Sequence, residues 1–332
     1  MEKITMAHGS GGKTGAELME KVFAKHFTND VLDKMEDAAV LEINGKIAFS
    51  TDSFVVTPLI FKGGDIGKLC VCGTVNDIMM MGAVPKYITC GFIMEEGLEV
   101  EKLEKIVESM AKTAREAGVK IVAGDTKVVE GNGGLYINTS GIGIIPEGRD
   151  VSAANCKPGD KVIVSGTLGD HHACILSARM DIENNITSDC SLLGAIPDIL
   201  FEHGINVKTM RDVTRGGLGT IINEIANSSD CQIELEEQAI PVNPDVRGFC
   251  DILGLDPMYM GNEGKMIIIV EGDKAEEALE LIKTTNVGIN SAIIGTVKEK
   301  ESAEAAPVVM KTRLGGSRVV DVLYGEGLPR IC

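Results

Sequence analysis

The chain has 332 residues, 44% hydrophobic and 24% charged, which is ordinary for a soluble globular protein and long enough for two domains. A formal net charge of −17 disfavours a nucleic-acid backbone or an anionic membrane as partner, though a local group of acids can still bind phosphates through Mg²⁺. No run reaches the ~20 apolar residues of a membrane span, no secretory signal pattern opens the chain, and nine cysteines without a C-x-x-C pair fit a reducing cytoplasm rather than zinc.

In chain order, residues 1–35 hold a glycine-rich segment and then a helix. Ala7-His8-Gly9-Ser10-Gly11-Gly12-Lys13-Thr14 nearly fits the P-loop pattern, with Ala7 in place of the first glycine. A P-loop needs a buried strand before it, and Glu2-Lys3-Ile4-Thr5-Met6 is a poor one. The segment reads instead as a glycine loop folding over phosphates, where the amides of Gly9, Gly11 and Gly12 and the Lys13 ammonium can meet an anion. Residues 37–43 and 46–56 read as strands joined by an Asn44-Gly45 hairpin turn. Asp65 is placed to cap a helix running to about Met81, ended by Gly82 and Pro85. A strand over 87–94 follows, then an amphipathic helix over 99–117 with Leu103, Ile106, Val107 and Met110 on one stripe, then strands over 119–123 and 135–145.

The polar segment 146–159 reads as a linker, giving an N-terminal domain over 1–150, a C-terminal α/β domain over 151–318 and a tail over 319–332. The second domain is expected to hold strands at 161–165, 232–235, 265–270, 292–297 and 308–312, with helices at 217–227 and 274–284. The fold class is therefore α+β, in mixed α/β layers.

Aspartates in apolar or turn contexts are the main chemical signal. Asp37 precedes Ala38-Ala39-Val40, Asp52 ends an apolar run, Asp77 interrupts an apolar helix, and Asp125 follows a strand through Gly124. Each alone fits a cap or turn, but several at strand ends on one side of a sheet suit Mg²⁺ held together with phosphates. Arg211-Asp212-Val213-Thr214-Arg215-Gly216-Gly217 precedes an apolar helix whose amides could receive an anion, or simply starts it tightly. Glu263, flanked by Gly261-Asn262 and Gly264, puts a carboxylate where backbone can approach a ligand, or marks a plain turn. His171-His172 reads as surface or capping residues. At the end, Gly325 and Gly327 hinge an arm and Pro329 stiffens its tip, so that the Cys332 thiol could reach at most ~26 Å beyond Tyr324.

Taken together, Asp37-Ala38-Ala39-Val40, Thr51-Asp52-Ser53, Asn76-Asp77-Ile78-Met79-Met80-Met81-Gly82-Ala83, Gly124-Asp125-Thr126 and Asp212-Val213-Thr214-Arg215-Gly216-Gly217 resemble an ATP-binding superfamily. It comprises aminoimidazole ribonucleotide synthetase, selenophosphate synthetase and thiamine-monophosphate kinase. Within it, His8-Gly9-Ser10-Gly11-Gly12-Lys13 and Pro329-Arg330-Ile331-Cys332 are similar to the HypE hydrogenase maturation factors.

The resemblance implies a homodimer whose N-terminal sheets pair into a shared barrel, and an ATP site in the cleft between domains, partly under the N-terminal loop. It implies that a HypF-type carbamoyltransferase loads Cys332. ATP-dependent dehydration then converts the thiocarboxamide to a thiocyanate. The cyano group passes to iron on a HypC–HypD-type scaffold for the [NiFe] centre. On that chemistry Asp37, Asp52, Asp77, Asp125 and Asp212 are assigned to Mg²⁺ and phosphate, with Thr214, Gly216 and Gly217 on the nucleotide. Lys127 stabilises charge on the carbamoyl oxygen, Glu263 is the base, and Cys332 is the covalent substrate site. Selenophosphate synthetase is the nearest alternative, yet residues 8–13 hold no cysteine. A small-molecule kinase or synthetase would have no need of Cys332, and a non-catalytic thiol carrier would have no need of the acids.

Overall fold

A computed structural model describes residues 3–9, 12–34, 38–302 and 304–322. Gly11, Asp37 and Cys332 lie outside the described residues. The described residues divide into two compact units: the first takes those up to 78 and 83–147, the second 79–82 and those from 148 to 322.

In the first unit, short helices α1 (Met6–Gly9) and α2 (Gly12–Leu18) lead through a π-helical turn (Met19–Ala24) to β1 (Lys46–Phe54). Then follow a two-residue pair, β2 (Ile60–Phe61) and β3 (Gly64–Asp65), and α3 (Ile66–Met80), β4 (Val84–Glu95), α4 (Val100–Glu116), β5 (Lys120–Val129) and β6 (Leu135–Ile145). The four long strands form one open sheet in the order β1-β6-β4-β5. As expected, Asp65 caps α3: its Oδ1 accepts the amides of Gly67 and Lys68 at 2.7 and 3.0 Å. The α4 stripe is likewise buried, with Leu103, Ile106, Val107 and Met110 all at 0% exposure.

The hairpin expected over 37–56 is absent among the described residues. Residues 38–45 form no strand, and β1 pairs antiparallel with β6 instead. The Asn44-Gly45 turn chemistry is real, since Gly45 has φ 102°, but its upstream side has no strand to pair. Helix α3 lies close against the sheet because β6 carries glycines there: a Cβ on Gly141 would come within 2.7 Å of Ile78, and one on Gly143 would also strike Ile78. The opposite sheet face carries exposed apolar side chains, with Phe49 at 65% and Ile47 and Ile93 near half exposure.

The second unit runs β7 (Lys161–Val164), α5 (Asp170–Arg179), α6 (Ala195–Glu202), β8 (Val207–Asp212), α7 (Gly217–Ser229), β9 (Gln232–Glu236), α8 (Pro244–Leu253), β10 (Met266–Val270), α9 (Ala275–Lys283), β11 (Ala292–Lys298), β12 (Val308–Lys311) and β13 (Ser317–Val319). Its seven strands order as β13-β12-β9-β11-β7-β10-β8. Both faces are covered. Val162, Val164, Ile267 and Ile269 pack with Leu218, Ile221 and Ile225 of α7, while Ile163, Ile268 and Val270 pack with α6 and α9. That two-sided burial explains why β10 reads as an unbroken apolar run with no alternation. Strand β8 was not anticipated, because its Lys208, Arg211 and Asp212 interrupt the apolar pattern.

Among the described residues no helix is long and apolar enough to cross a membrane.

Candidate active site

In the first unit the acids divide between the two faces of the sheet. Alternation along β1 turns Ala48, Ser50, Asp52 and Phe54 toward α3. Ser50 donates its hydroxyl to Asp77 Oδ2 at 2.7 Å. Asp52 Oδ2 lies 4.0 Å from where a Cβ on Gly73 would stand, one helical turn before Asp77. Asp52 and Asp77, both half-buried, therefore face each other across the β1–α3 layer. Ser50 was not anticipated, although its position two residues before Asp52 puts it on the same face.

Asp125 is placed differently. It lies inside β5, not beyond a strand end, and it aligns with Gly91 of β4 on the face away from α3. Asp52 also lies within its strand, aligned with Thr139 of β6. These two acids sit on the two edge strands of the sheet, three strand spacings apart, or about 14 Å. Strand-end clustering, the expectation from sequence, is therefore not the arrangement. Among the described residues no group of three or more His, Cys, Asp or Glu side chains converges as a metal site.

Lys127 stands on the same face as Asp125 and donates to its Oδ2 at 2.5 Å. That hydrogen bond is the main cause holding the Asp125 carboxyl below the usual range. Both groups are exposed, 62% and 69% at the side chain, so the pair is readily exchanged for another anion. Gly9 brings the N-terminal segment against β5 nearby: a Cβ there would sit 2.8 Å from Val128. The segment begins in a helical turn, and an isolated bridge at Lys3 precedes it in place of a buried strand, so the P-loop alternative fails. Lys13 is exposed at the start of α2.

In the second unit, the turn after β8 and the segment before β10 are bonded into one structure. Asp212 aligns with Met266 as the last pair of β8 with β10. Val213 N–H donates to the Lys265 carbonyl at 2.9 Å, and Asn262 donates to the Val213 carbonyl through its backbone at 3.0 Å and its side chain at 3.1 Å. Gly216 and Gly217 both take positive φ, 78° and 61°, and a Cβ on Gly217 would press within 2.6 Å of the Tyr259 backbone. Thr214, Gly216 and Gly217 thus open α7 beside the loop that carries Glu263, which is half-buried. The structure joins here two motifs that lie about fifty residues apart.

Asp170, His171 and His172 are not surface residues. They are 7%, 0% and 5% exposed, because the start of α5 is enclosed on every side. The Asp170 carboxyl accepts the Thr167 hydroxyl at 2.5 Å. Burial raises it to about 6, with Asp189 adding to the rise while the Thr167 bond and Lys265 oppose it. Burial lowers His171 to about 4, keeping it neutral, with its Nδ1 2.8 Å from the Ser188 hydroxyl. Eight described cysteines, from Cys70 to Cys250, are buried thiols outside any disulfide, as their apolar surroundings in the sequence suggest.

A carboxyl raised on folding favours the neutral form, so ionising Asp170 opposes the fold above pH 6. That cost disappears as pH falls through 6 toward 4. Asp170→Asn is expected to be more stable than the parent at pH 8, by up to about 3 kcal/mol, with the gap closing by pH 4. His171 contributes with the opposite sign, losing stability below about 6.5, but it does so in both proteins and cancels. Urea unfolding at pH 8, 6 and 4.5 measures the gap, and a gap independent of pH contradicts the assignment.

The family model for the AIR synthase related protein N-terminal domain matches residues 35–145, and that for its C-terminal domain matches residues 157–306. The carbamoyl dehydratase HypE of Rhodobacter capsulatus is 45% identical, across 100% of this chain and 98% of its own. A crystal structure of the hydrogenase maturation protein HypE in complex with ATP superposes with a TM-score of 0.94 at 45% identity, covering 98% of this chain and 99% of that one. A crystal structure of a HypE–HypF complex matches with a TM-score of 0.80 at 47% identity, covering 92% and 99%. Two AIR synthase related domains, together with end-to-end identity of this degree, place the chain in the HypE family of carbamoyl dehydratases.

Proposed function

We propose that this protein dehydrates a carbamoyl group carried on the Cys332 thiol, at the expense of ATP, and so supplies cyanide ligands for [NiFe] hydrogenase maturation in the cytoplasm. The observation that carries this reading is its kinship along the whole chain with carbamoyl dehydratases, one of them crystallised with ATP. A HypF-type carbamoyltransferase loads the thiol, and a relative crystallised with HypF supports that partner. A HypC–HypD-type complex would receive the cyano group. The exposed Ile47, Phe49 and Ile93 on the open face of the first sheet suit pairing with a second copy into a barrel.

An amide cannot expel its oxygen as oxide. Transfer of the γ-phosphoryl of ATP to the carbamoyl oxygen, with loss of one N–H proton, gives a phosphorylated imidate and ADP. Removal of the second N–H proton completes the C≡N bond as phosphate departs with that oxygen. Glu263 is the base for the N–H protons. Lys127 can leave Asp125 to neutralise charge growing on the carbamoyl oxygen. Asp52 and Asp77 offer hard carboxylate oxygens on one layer, which fits Mg²⁺ bound by one or two carboxylates plus phosphates; Asp37, Asp125 and Asp212 remain further candidates. The ion, when bound, neutralises the transferring phosphoryl group. Gly9, Gly11, Gly12 and Lys13 of the N-terminal segment, and Thr214, Gly216 and Gly217 at α7, are assigned to the nucleotide.

Asp77→Asn separates an enzyme from a mere carrier. The asparagine oxygen can still accept the Ser50 hydroxyl, so the helix keeps its contact with β1. Dehydration is expected to fall about 10²–10³-fold, with carbamoyl accumulating on Cys332 in peptide mass spectra. Full thiocyanate formation by this variant contradicts the proposal.

A further inference from the structure

We infer that Asp189 is a positioning residue for the dehydration step: one buried carboxylate holds the Glu263 segment at two points. The inference rests on Glu263 as the base. Asp189 lies between α5 and α6 with its side chain 4% exposed. Its Oδ1 accepts the backbone N–H of Glu263 at 3.1 Å. Its Oδ2 accepts the Lys265 ammonium at 3.0 Å, and Lys265 is itself only 12% exposed. The Ser191 amide donates to the Glu263 carbonyl at 3.3 Å, so both peptide groups of residue 263 are bonded to segment 189–191. Gly264 allows this approach, because a Cβ there would run into the Asp189 carbonyl oxygen. Ser188 in turn accepts the Cys190 amide at 3.1 Å and meets His171 of α5, which ties the bracket to a buried helix.

A general base must stay within a few tenths of an ångström of its working geometry. Glu263 stands between Asn262 and a glycine, with Gly261 one residue further back, so its own backbone is soft. The restraint has to come from outside the loop: Val213 bonds the neighbouring Asn262 and Lys265, and the Asp189 carboxylate bonds the amide of residue 263 itself. A buried ion pair is a weak source of stability, since desolvation offsets its attraction. What this pair adds is direction, because the Lys265 ammonium fixes one oxygen and leaves the other aimed at the 263 amide.

The test is single-turnover dehydration of carbamoylated Cys332 in the full-length protein, followed by peptide mass spectrometry over a titration of Mg-ATP. Asp189→Ala is expected to slow the saturated rate about 10²-fold, with the ATP concentration for half-saturation unchanged. In Asp189→Asn the amide oxygen keeps the Glu263 bond, but its NH₂ group opposes the Lys265 ammonium. Adding Lys265→Met removes that conflict and is expected to restore the rate toward the parent. Should Asp189→Ala fail to fold, the Asn variant and its double decide the matter.

An unchanged rate in the folded Asp189 variants overturns the inference. So does a loss that appears wholly as weaker ATP saturation and is not rescued by the double variant. Glu263→Gln run alongside distinguishes the two levels. A parental rate in that variant removes the base assignment itself, whereas a slow Glu263→Gln with fully active Asp189 variants removes only the positioning role.

Discussion

Cys332→Ala is expected to abolish thiocyanate formation outright while leaving Mg-ATP affinity within about twofold, since none of the nucleotide candidates is altered. The thiolate is the nucleophile that accepts the carbamoyl group, so a thiol must be able to ionise and reach its partner. The eight described cysteines are buried. Burial pushes Cys90 up to about 12, Cys156 and Cys250 to about 11, and Cys70 well above its ordinary value. They are poor substitutes for Cys332. Mass spectrometry of the variant after incubation with carbamoyltransferase, carbamoyl phosphate and Mg-ATP should find no carbamoyl or cyano adduct. An adduct on any of the buried cysteines contradicts the assignment.

Glu263→Gln should retain its shape and lose its chemistry. Glutamine matches glutamate in volume and keeps the backbone bonds to Asp189 and Ser191, but it cannot take a proton. Loss of a general base costs about 10²–10⁴-fold, or roughly 3–5 kcal/mol of barrier. Carbamoylation of Cys332 is expected to proceed at the parental rate, so the protein accumulates as the thiocarboxamide. A dehydration rate within about threefold of the parent contradicts the role.

Much of the fold was legible in the residues. Asp65 announced the start of α3, and the Leu103–Met110 stripe gave α4 because helical periodicity survives wherever one face is solvated. The acids Asp52 and Asp77 stand out in the sequence by their apolar settings, and the structure sets them on one layer. What failed was geometry set by distant pairing. The 38–45 segment has hairpin signals, yet β1 finds its partner in β6, some ninety residues on. Asp125 looked like a strand-end acid because Gly124 reads as a terminator; in fact glycine fits there where a Cβ would come within 2.9 Å of the Cys90 carbonyl.

Burial of Asp170-His171-His172 was also hidden, because polar residues signal exposure unless their partners are known. For the two histidines those partners, Ser188 and the Gly261 amide, are separated in sequence from the residues they satisfy. The Asp189–Glu263–Lys265 bracket is invisible for the same reason: its two halves lie more than seventy residues apart. Cys332 is legible only as a sequence feature, outside the described residues.

The most direct test of the central claim is the mass of the Cys332 peptide after incubation with the carbamoyltransferase, carbamoyl phosphate and Mg²⁺, with ATP or a non-hydrolysable analogue added at the dehydration stage. A carbamoyl adduct is expected in both samples, with loss of one water from it only with ATP. An unmodified Cys332 despite an active transferase, or water loss with the analogue, contradicts an ATP-driven dehydration on this thiol.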